Sequence, residues 1–517
     1  MRAFALVAAC TAFTACSAPQ KPSTYLEPPV VRSDRGVVSL ALSARIDPKV
    51  LGPTFTYRID RPPYFVRGAP TLEVKPGETI RVAYHNILPP ILSDDAHGLP
   101  DATNLHFHGL TLSPNAPADD VLTTLLMPLG RTTYDIRVAV DQPPGIYWYH
   151  PHPHHETSWQ VGNGMAGAIL VDGIENVEPS LGGLRQRVIV LRQVYLHPDT
   201  DEAAVATRFC GFKNLSSRNK INYLLAHQLV RKSDDDAKTV VTLNDRPAGS
   251  VTIGLKPGER QFFRVVNATP MRNLDLAVDG ELLELISQDG VPLGYLPGAE
   301  RKRSVPDIVL PPGGRAEFVV TGLDRPTTLR SRTFDSGPKG DKNPAVELAT
   351  LDPAAPPDAV ENRLPMPSVA VKPPHDYYRT LPTAPARHRT VVLAENAEGS
   401  RFFINRKSFD MRDPAMFVAK SGTVEEWTLR NESEEVHTFH MHQVHFIVES
   451  VNGRPIPERE RQWRDTYNVP YARNHVPGTA KILVDFRDPV VRGTFVFHCH
   501  ILDHEDGGMM AKVRVEA

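Results

Sequence analysis

After Ala15 this sequence has no apolar run approaching the roughly 20 residues that a helix needs to cross a bilayer, which excludes a helical span from the body of the chain. An excess of one charge is also missing. The 58 Lys and Arg face 60 Asp and Glu, a net −2, so no basic surplus exists to hold nucleic acid, and no nucleic-acid partner is expected. Cysteine is scarce: of four, Cys10 and Cys16 fall in the leader, leaving Cys210 and Cys499. One disulfide at most could form, which excludes a cystine-stapled scaffold. Strong helical periodicity is scarce too. Proline (48) and histidine (20) are what the chain has in quantity, and 517 residues suit about three domains at roughly 100–200 residues each.

The first residues read as an export signal over 1–16: Arg2, the apolar stretch Ala3 to Ala15, then Cys16. Phe13-Thr14-Ala15-Cys16 resembles the bacterial lipoprotein cleavage box, with Phe13 in place of the usual Leu. Two outcomes stand side by side. Either Cys16 becomes a lipidated N-terminus that attaches the protein to a membrane through a Pro-containing tether over 17–35, or an ordinary secretory signal is cut nearby. Both imply a periplasmic or extracellular protein, and without a twin arginine the chain is expected to be exported unfolded.

Three segments share a pattern. Lys75-Pro76-Gly77-Glu78 leads to Asn86, Lys256-Pro257-Gly258-Glu259 to Asn267, and Lys420-Ser421-Gly422 to Asn431, the Gly preceding the Asn by nine residues each time. The turn residues followed by β-rich, partly alternating runs predict a half-buried strand in each of three repeated β-domains. A second repeat links the outer two. Gly145-Ile146-Tyr147-Trp148-Tyr149-His150-Pro151-His152 parallels Gly493-Thr494-Phe495-Val496-Phe497-His498-Cys499-His500, and Gly164-Met165 parallels Gly508-Met509. Boundaries near 176 and 360 follow, and the many short strands between Gly, Pro and Asp predict β-sandwiches.

Four His-x-His pairs stand out: His106/His108, His150/His152, His440/His442 and His498/His500. Residues two apart share one face of a strand. One such pair is commonly a surface accident, but two in the first repeat and two in the third are not. Eight neutral imidazoles converging between the outer domains could hold three copper ions, since imidazole suits copper. Near the C-terminus, Cys499 with His504, one further His and a Met is the ligand set of a blue-copper electron-transfer site, and His437 is available as that His. Cys499 also sits between His498 and His500, which makes a short covalent path for electrons and a reason to stay out of a disulfide.

His106-Phe107-His108-Gly109, His150-Pro151-His152, His437-Thr438-Phe439-His440-Met441-His442 and the run from His498 to Met509 resemble the four copper motifs of the multicopper oxidases, the laccase-like family. The resemblance covers the chain from about residue 70 to its C-terminus. It implies an all-β fold of three consecutive cupredoxin-like Greek-key sandwiches, over 36–176, 177–360 and 361–517. It also implies about four coppers per chain. A type 1 copper would take His437, Cys499, His504 and axial Met509. A type 2 copper would take His106 and His440. A type 3 pair would take His108, His150 and His500 on one side, and His152, His442 and His498 on the other.

The implied activity is one-electron oxidation of a donor through His504 and Cys499, coupled to reduction of dioxygen to water. Glu505 and Asp119 match the family's proton relays, although Asp120 competes with Asp119, and each could otherwise be a solvated carboxylate. Phenolic and similar aromatic donors are the leading expectation. The rival is a periplasmic metallo-oxidase for Cu(I), Fe(II) or Mn(II), with Glu432, Glu434 and Glu435 close to His437; only 10 methionines occur, with no Met-rich insertion before Met509. A copper-sequestering or structural protein without turnover is the alternative of another class, and the complete ligand set argues against it. His154, His155 and His445 exceed the ligand count and read as solvated or as bonded behind the ligands. Trp148 and Trp427 read as core aromatics, Cys210 as a buried small hydrophobe and Met510 as packing.

Overall fold

The computed structural model describes residues 23–47, 54–59, 69–88, 102–196, 238–356, 362–368, 377–380 and 384–517. The export signal, Cys16, Cys210 and the expected boundary at 360 lie outside these residues. Six sheets make three sandwiches, each closed over its own apolar core. In the first, a five-stranded sheet ordered Val30–Arg32, Thr71–Val74, Gly167–Val171, Gly145–His150, His106–His108 faces a four-stranded sheet of Thr54–Ile59, Val37–Asp47, Thr79–Asn86 and Arg131–Arg137. The third repeats the scheme. Its five-stranded sheet runs Phe417–Lys420, Met510–Glu516, Gly493–Cys499, His437–Met441, Thr466–Val469, against a seven-stranded one. Sheets of six and eight strands form the middle sandwich. Among the described residues no helix is long and apolar enough to cross a membrane.

The repeated Gly-to-Asn segment is the same strand in all three sandwiches: Thr79–Asn86, Arg260–Ala268 and Thr423–Asn431. Each pairs in parallel with an earlier strand of its sandwich and antiparallel with a later one. The asparagines end these strands by one device. Nδ2 of Asn86, Asn267 and Asn431 donates to the carbonyls of Leu126 (2.8 Å), Leu310 (2.9 Å) and Glu435 (2.7 Å). Their Oδ1 atoms accept from the backbone two residues on, at Leu88, Thr269 and Ser433. Asn is suited to this because its short amide can replace the ladder partners a strand loses where it turns.

Alternating burial, as the sequence predicts, holds in the first and third copies, but the middle copy is buried on both faces. Its outward side meets the first sandwich, where Ile146, Trp148, Ala166, Ala168 and Leu170 pack on Val188, Val190, Val266 and Ala268. The expected 17–35 tether also needs correction within its described part. Ser23–Thr24 pairs with Val251–Gly254 of the middle sandwich, and Val30–Arg32 with Thr71–Val74 of the first. Tyr25 enters the middle core at 2% exposure and donates to the Val188 carbonyl at 2.7 Å. Burying a tyrosine with its hydroxyl satisfied is worth about 2 kcal/mol, enough to hold a short segment in place.

Candidate metal centres

The two outer sandwiches bring their histidines to one seam by the same register. His106 lies opposite His150 in the first, and His440 opposite His498 in the third. Phe107, Met441 and Cys499, the residues between members of three of the pairs, point back into their own cores. Alternation along each strand end therefore sends the imidazoles one way and the apolar side chains the other. All eight imidazoles are between 0% and 3% exposed. His152 Nε2 and His442 Nε2 lie 3.3 and 3.2 Å from His498 Nε2, and His108 Nδ1 lies 3.3 Å from His500 Nε2. Two ring stacks cross the seam, His106 on His442 at 3.8 Å and His108 on His440 at 3.9 Å.

One nitrogen of several rings is tied to the protein, which orients the other. Nδ1 of His150, His440 and His498 meets the carbonyls of Pro151 (2.8 Å), Asp465 (2.8 Å) and Cys499 (3.0 Å). The opposite nitrogens of His106, His150 and His440 are buried without a hydrogen-bond partner. Burial holds His108, His150, His152, His442, His498 and His500 well below the usual imidazole range, and pushes His440 down to about 3. These rings are therefore neutral, the form that binds a metal ion.

The second centre lies wholly within the third sandwich. Cys499 Sγ is 3.8 Å from His437 Nδ1 and 3.6 Å from His504 Nδ1, and the two imidazole nitrogens are 3.1 Å apart. Behind them His437 Nε2 meets Ser433 Oγ at 2.9 Å, and His504 Nε2 meets Glu435 Oε1 at 3.3 Å. Phe402 stacks on His504 at 4.1 Å, and Met509 is buried in the same apolar cluster as Cys499. Burial pushes the Cys499 thiol up, so a thiolate forms there only with a cation beside it. Of the four expected ligands His504 alone keeps an opening, at 6% exposure against 0% for His437, Cys499 and Met509, so its expected exposed edge is mostly covered.

The two expected carboxylates are not surface groups. Asp119 accepts from His106 Nδ1 (2.9 Å), the Phe107 backbone (2.9 Å) and Gln443 Nε2 (2.5 Å). Asp120 turns away and accepts from the Leu122 and Thr123 backbone, closing its own loop. Glu505 is fully buried, with Oε2 3.1 Å from His498 Nδ1 and Oε1 3.6 Å from His152 Nε2. Burial, reinforced by Asp506, raises its carboxyl well above the usual range.

Sequence reasoning missed Asp465, Arg315 and the part played by Trp148. Asp465 Oδ1 lies 3.4 Å from His108 Nε2, and Arg315 of the middle sandwich grips the same carboxylate. Burial would raise Asp465, but Arg315 overrides it and holds the carboxyl well below its ordinary value. Trp148 is a core aromatic, as expected, and also stacks on His150 at 4.1 Å. His445 bonds behind the cluster, with Nδ1 3.0 Å from the Tyr378 hydroxyl and Nε2 3.6 Å from Asp465. No motif marks Asp465 or Arg315, because each is defined only by a partner 150 residues away.

A family model described as multicopper oxidase matches residues 68–176, and another of the same description matches residues 380–517. The chain belongs to the multicopper oxidase family. It is similar to the multicopper oxidase mco of Staphylococcus haemolyticus, 26% identical over 454 residues that cover 86% of this chain and 81% of that protein. It is also similar to a laccase of Bacillus subtilis, 25% identical over 498 residues covering 85% and 87%. A solved multicopper oxidase from Campylobacter jejuni, described as a metallo-oxidase, superposes with a TM-score of 0.68 at 22% identity over 96% of both chains, a likeness of fold. As a multicopper oxidase the chain is an oxidoreductase that uses dioxygen and an electron donor. Its buried residues suit copper on their own terms: neutral imidazoles with unpartnered nitrogens facing one seam, and a thiol grouped with two more. Without a metal, each of those buried nitrogens would cost about 1–3 kcal/mol.

Proposed function

We propose that the chain oxidises a small donor one electron at a time beside His504 and reduces dioxygen to water among the eight seam imidazoles. His437, Cys499, His504 and Met509 would hold a type 1 copper, His106 and His440 a type 2 copper, and the remaining six imidazoles the type 3 pair. Bound copper supplies the one-electron steps at the first centre and the four-electron reduction of dioxygen at the cluster. The observation that carries this reading is the course of the strand Gly493–Cys499 and the residue after it. The Cys499 side chain lies with His437 and His504, while its neighbours His498 and His500 lie in the seam.

The chain's own groups prepare the seam for that chemistry. Burial excludes bulk water from the imidazoles. Glu505, held protonated beside His498, is suited to give a proton at its carboxyl as dioxygen is reduced. Asp119, with three donors already on it, is better suited to orient His106.

For the donor, the surroundings of His504 favour a reduced metal ion over the phenol that the resemblance alone suggests. A cleft of about 460 Å³ opens beside Ser433 and Glu395, and its lining contains no Phe, Tyr or Trp to stack on an aromatic ring. Within it Glu432 is paired with Arg406 and Arg430. Glu435, between Glu395 and His504, is pushed up to about 9 by burial and by the facing Glu395 carboxyl. Two carboxyls that cannot both ionise would be relieved by a cation. Steady-state kinetics with Fe(II), Cu(I) and a phenol on copper-loaded protein test this. Glu395→Gln should raise KM for the metal ions about tenfold, the worth of one partly screened charge, and leave the phenol unchanged. Equal effects on all donors, or a phenol preferred by kcat/KM, would reject the metal-ion reading. The signal-like pattern of residues 1–16 supports a periplasmic or extracellular location, with lipidation of Cys16 testable by blocking lipoprotein processing and looking for a shift in mobility.

A further inference from the structure

The middle sandwich supplies none of the seam imidazoles, yet it reaches them. Arg315 opens the strand Arg315–Thr321 and is fully buried. Both its terminal nitrogens donate to Asp465 of the third sandwich, Nη1 to Oδ1 and Nη2 to Oδ2, each at 2.6 Å. The guanidinium is steadied from its own side by the carbonyls of Gly313 (3.1 Å) and Asp289 (2.9 Å), and Asp289 in turn accepts from Arg464 Nε at 2.6 Å. Cation and carboxylate alternate along this buried line, and the last carboxylate stands at the cluster. Asp465 Oδ1 is 3.4 Å from His108 Nε2 and accepts from Thr466 Oγ1 at 2.8 Å, while the Asp465 carbonyl meets His440 Nδ1 at 2.8 Å.

We infer that Arg315 is a positioning residue for the oxygen-reducing cluster. By clamping Asp465 it fixes a carboxylate against His108 Nε2, so that His108 turns Nδ1 toward His500, and the middle sandwich orients a metal centre it does not ligate. A planar fork is needed for this, because two parallel bonds fix the plane of the carboxylate where an ammonium would fix only a distance. Gly109 points the same way from the first sandwich. It follows His108, has φ of +88°, and a Cβ there would overlap Arg315 Nη2 and come within 2.7 Å of Asp465 Oδ2. The glycine that closes the His-Phe-His-Gly run thus makes room for a guanidinium from another domain.

The inference rests on the copper reading above, and the test separates the two. Wild-type protein, Arg315→Lys, Asp465→Asn and the double variant Arg315→Gln/Asp465→Asn are loaded with copper and dialysed against graded chelator. Copper per chain, the EPR spectrum of the cluster, the blue absorption of the Cys499 centre and thermal stability are then read. Each single variant should hold cluster copper about 10–100-fold more weakly, the usual effect of losing a group that orients a metal-bound imidazole. Each should also show an altered cluster EPR signal with the blue absorption intact. The double variant should recover stability, since no lone buried charge remains, but not copper retention. Recovery of both would reduce the pair to an interdomain strap and overturn the inference, as would single variants with unchanged retention and EPR. If Asp465→Asn does not fold, Arg315→Lys, which keeps the charge and loses only the fork, decides alone. Wild-type protein that takes up no copper would instead reject the underlying reading.

Discussion

Gly313→Ala should damage the cluster from a domain that ligates nothing. Gly313 has φ of +80°, and a Cβ there would lie 2.8 Å from Nε2 and 2.9 Å from Cδ2 and Cε1 of His500. A left-handed conformation costs an L-residue about 1–2 kcal/mol. Restoring an ordinary separation of about 3.5 Å requires the ring to retreat by roughly 0.6 Å, and overpacking of this kind costs about 1–3 kcal/mol. The sum, about 2–5 kcal/mol, lowers Tm by roughly 4–20 °C at about 2–4 °C per kcal/mol for a unit of this size. The displacement matters more than the stability, because metal–ligand distances tolerate only about 0.2 Å. The variant should therefore lose copper from the cluster while Cys499, His437 and His504 keep their blue absorption. Gly258→Ala is the control: φ is +73°, but nothing lies within 4 Å of its Cβ, so it carries the backbone cost alone. Elemental analysis of copper per chain, absorption and thermal unfolding are measured on both. Equal copper contents in the two variants would refute the reasoning.

Glu505→Gln should slow dioxygen consumption about a hundredfold and leave the blue absorption unchanged; a rate within a factor of two of wild type would remove Glu505 from proton delivery. Cys499→Ser should abolish the absorption near 600 nm and turnover with every donor while the cluster still binds copper, as elemental analysis would report. Glu27 gives a pH dependence remote from both centres. Burial pushes its carboxyl up from 4.5 to about 7, against the Val188 backbone and Tyr25 hydrogen bonds that lower it. The folded protein keeps a proton that the unfolded chain has lost, so docking of the segment around Tyr25 is strongest below about pH 4.5 and weakens as pH rises through 7. Protection factors of that segment, which remove the intrinsic pH dependence of amide exchange, should fall between about pH 4.5 and 7 in wild type and stay flat in Glu27→Gln; the same fall in both would exclude Glu27 as its cause.

What was legible in the sequence is what is written locally. The Gly-to-Asn strands could be read because each turn and its Asn belong to one short segment, and the His-x-His pairs because period two alone separates imidazole from core. Grouping of Cys499 with His504 follows from five residues of chain. The burial of Arg260–Ala268 on both faces was not legible, since the outer cover comes from Trp148 and its neighbours in another sandwich. Within the described residues 23–35 the tether reading gives way for a related reason: Pro and polar residues suggest a free segment, whereas Tyr25 packs into the middle core. Asp119 could be told from Asp120 only once the loop was in place, because adjacent carboxylates on one turn point to different partners.

A physical division of labour explains this split. Apolar cores fix where the strand ends stop, to the precision of close packing, and that pattern repeats along the chain. The orientation of each imidazole depends instead on what its second nitrogen meets, and for His108 that partner is remote in sequence. Asp465 serves His108 across 357 residues, and Arg315 serves Asp465 across 150. A buried carboxylate with no cation would lose more in desolvation than it gains from one neutral imidazole. The carboxylate therefore needs a cation beside it, and Arg315 of the middle sandwich supplies it. On this argument a domain without seam imidazoles still has a use, because the carboxylate that aims His108 is held by its arginine.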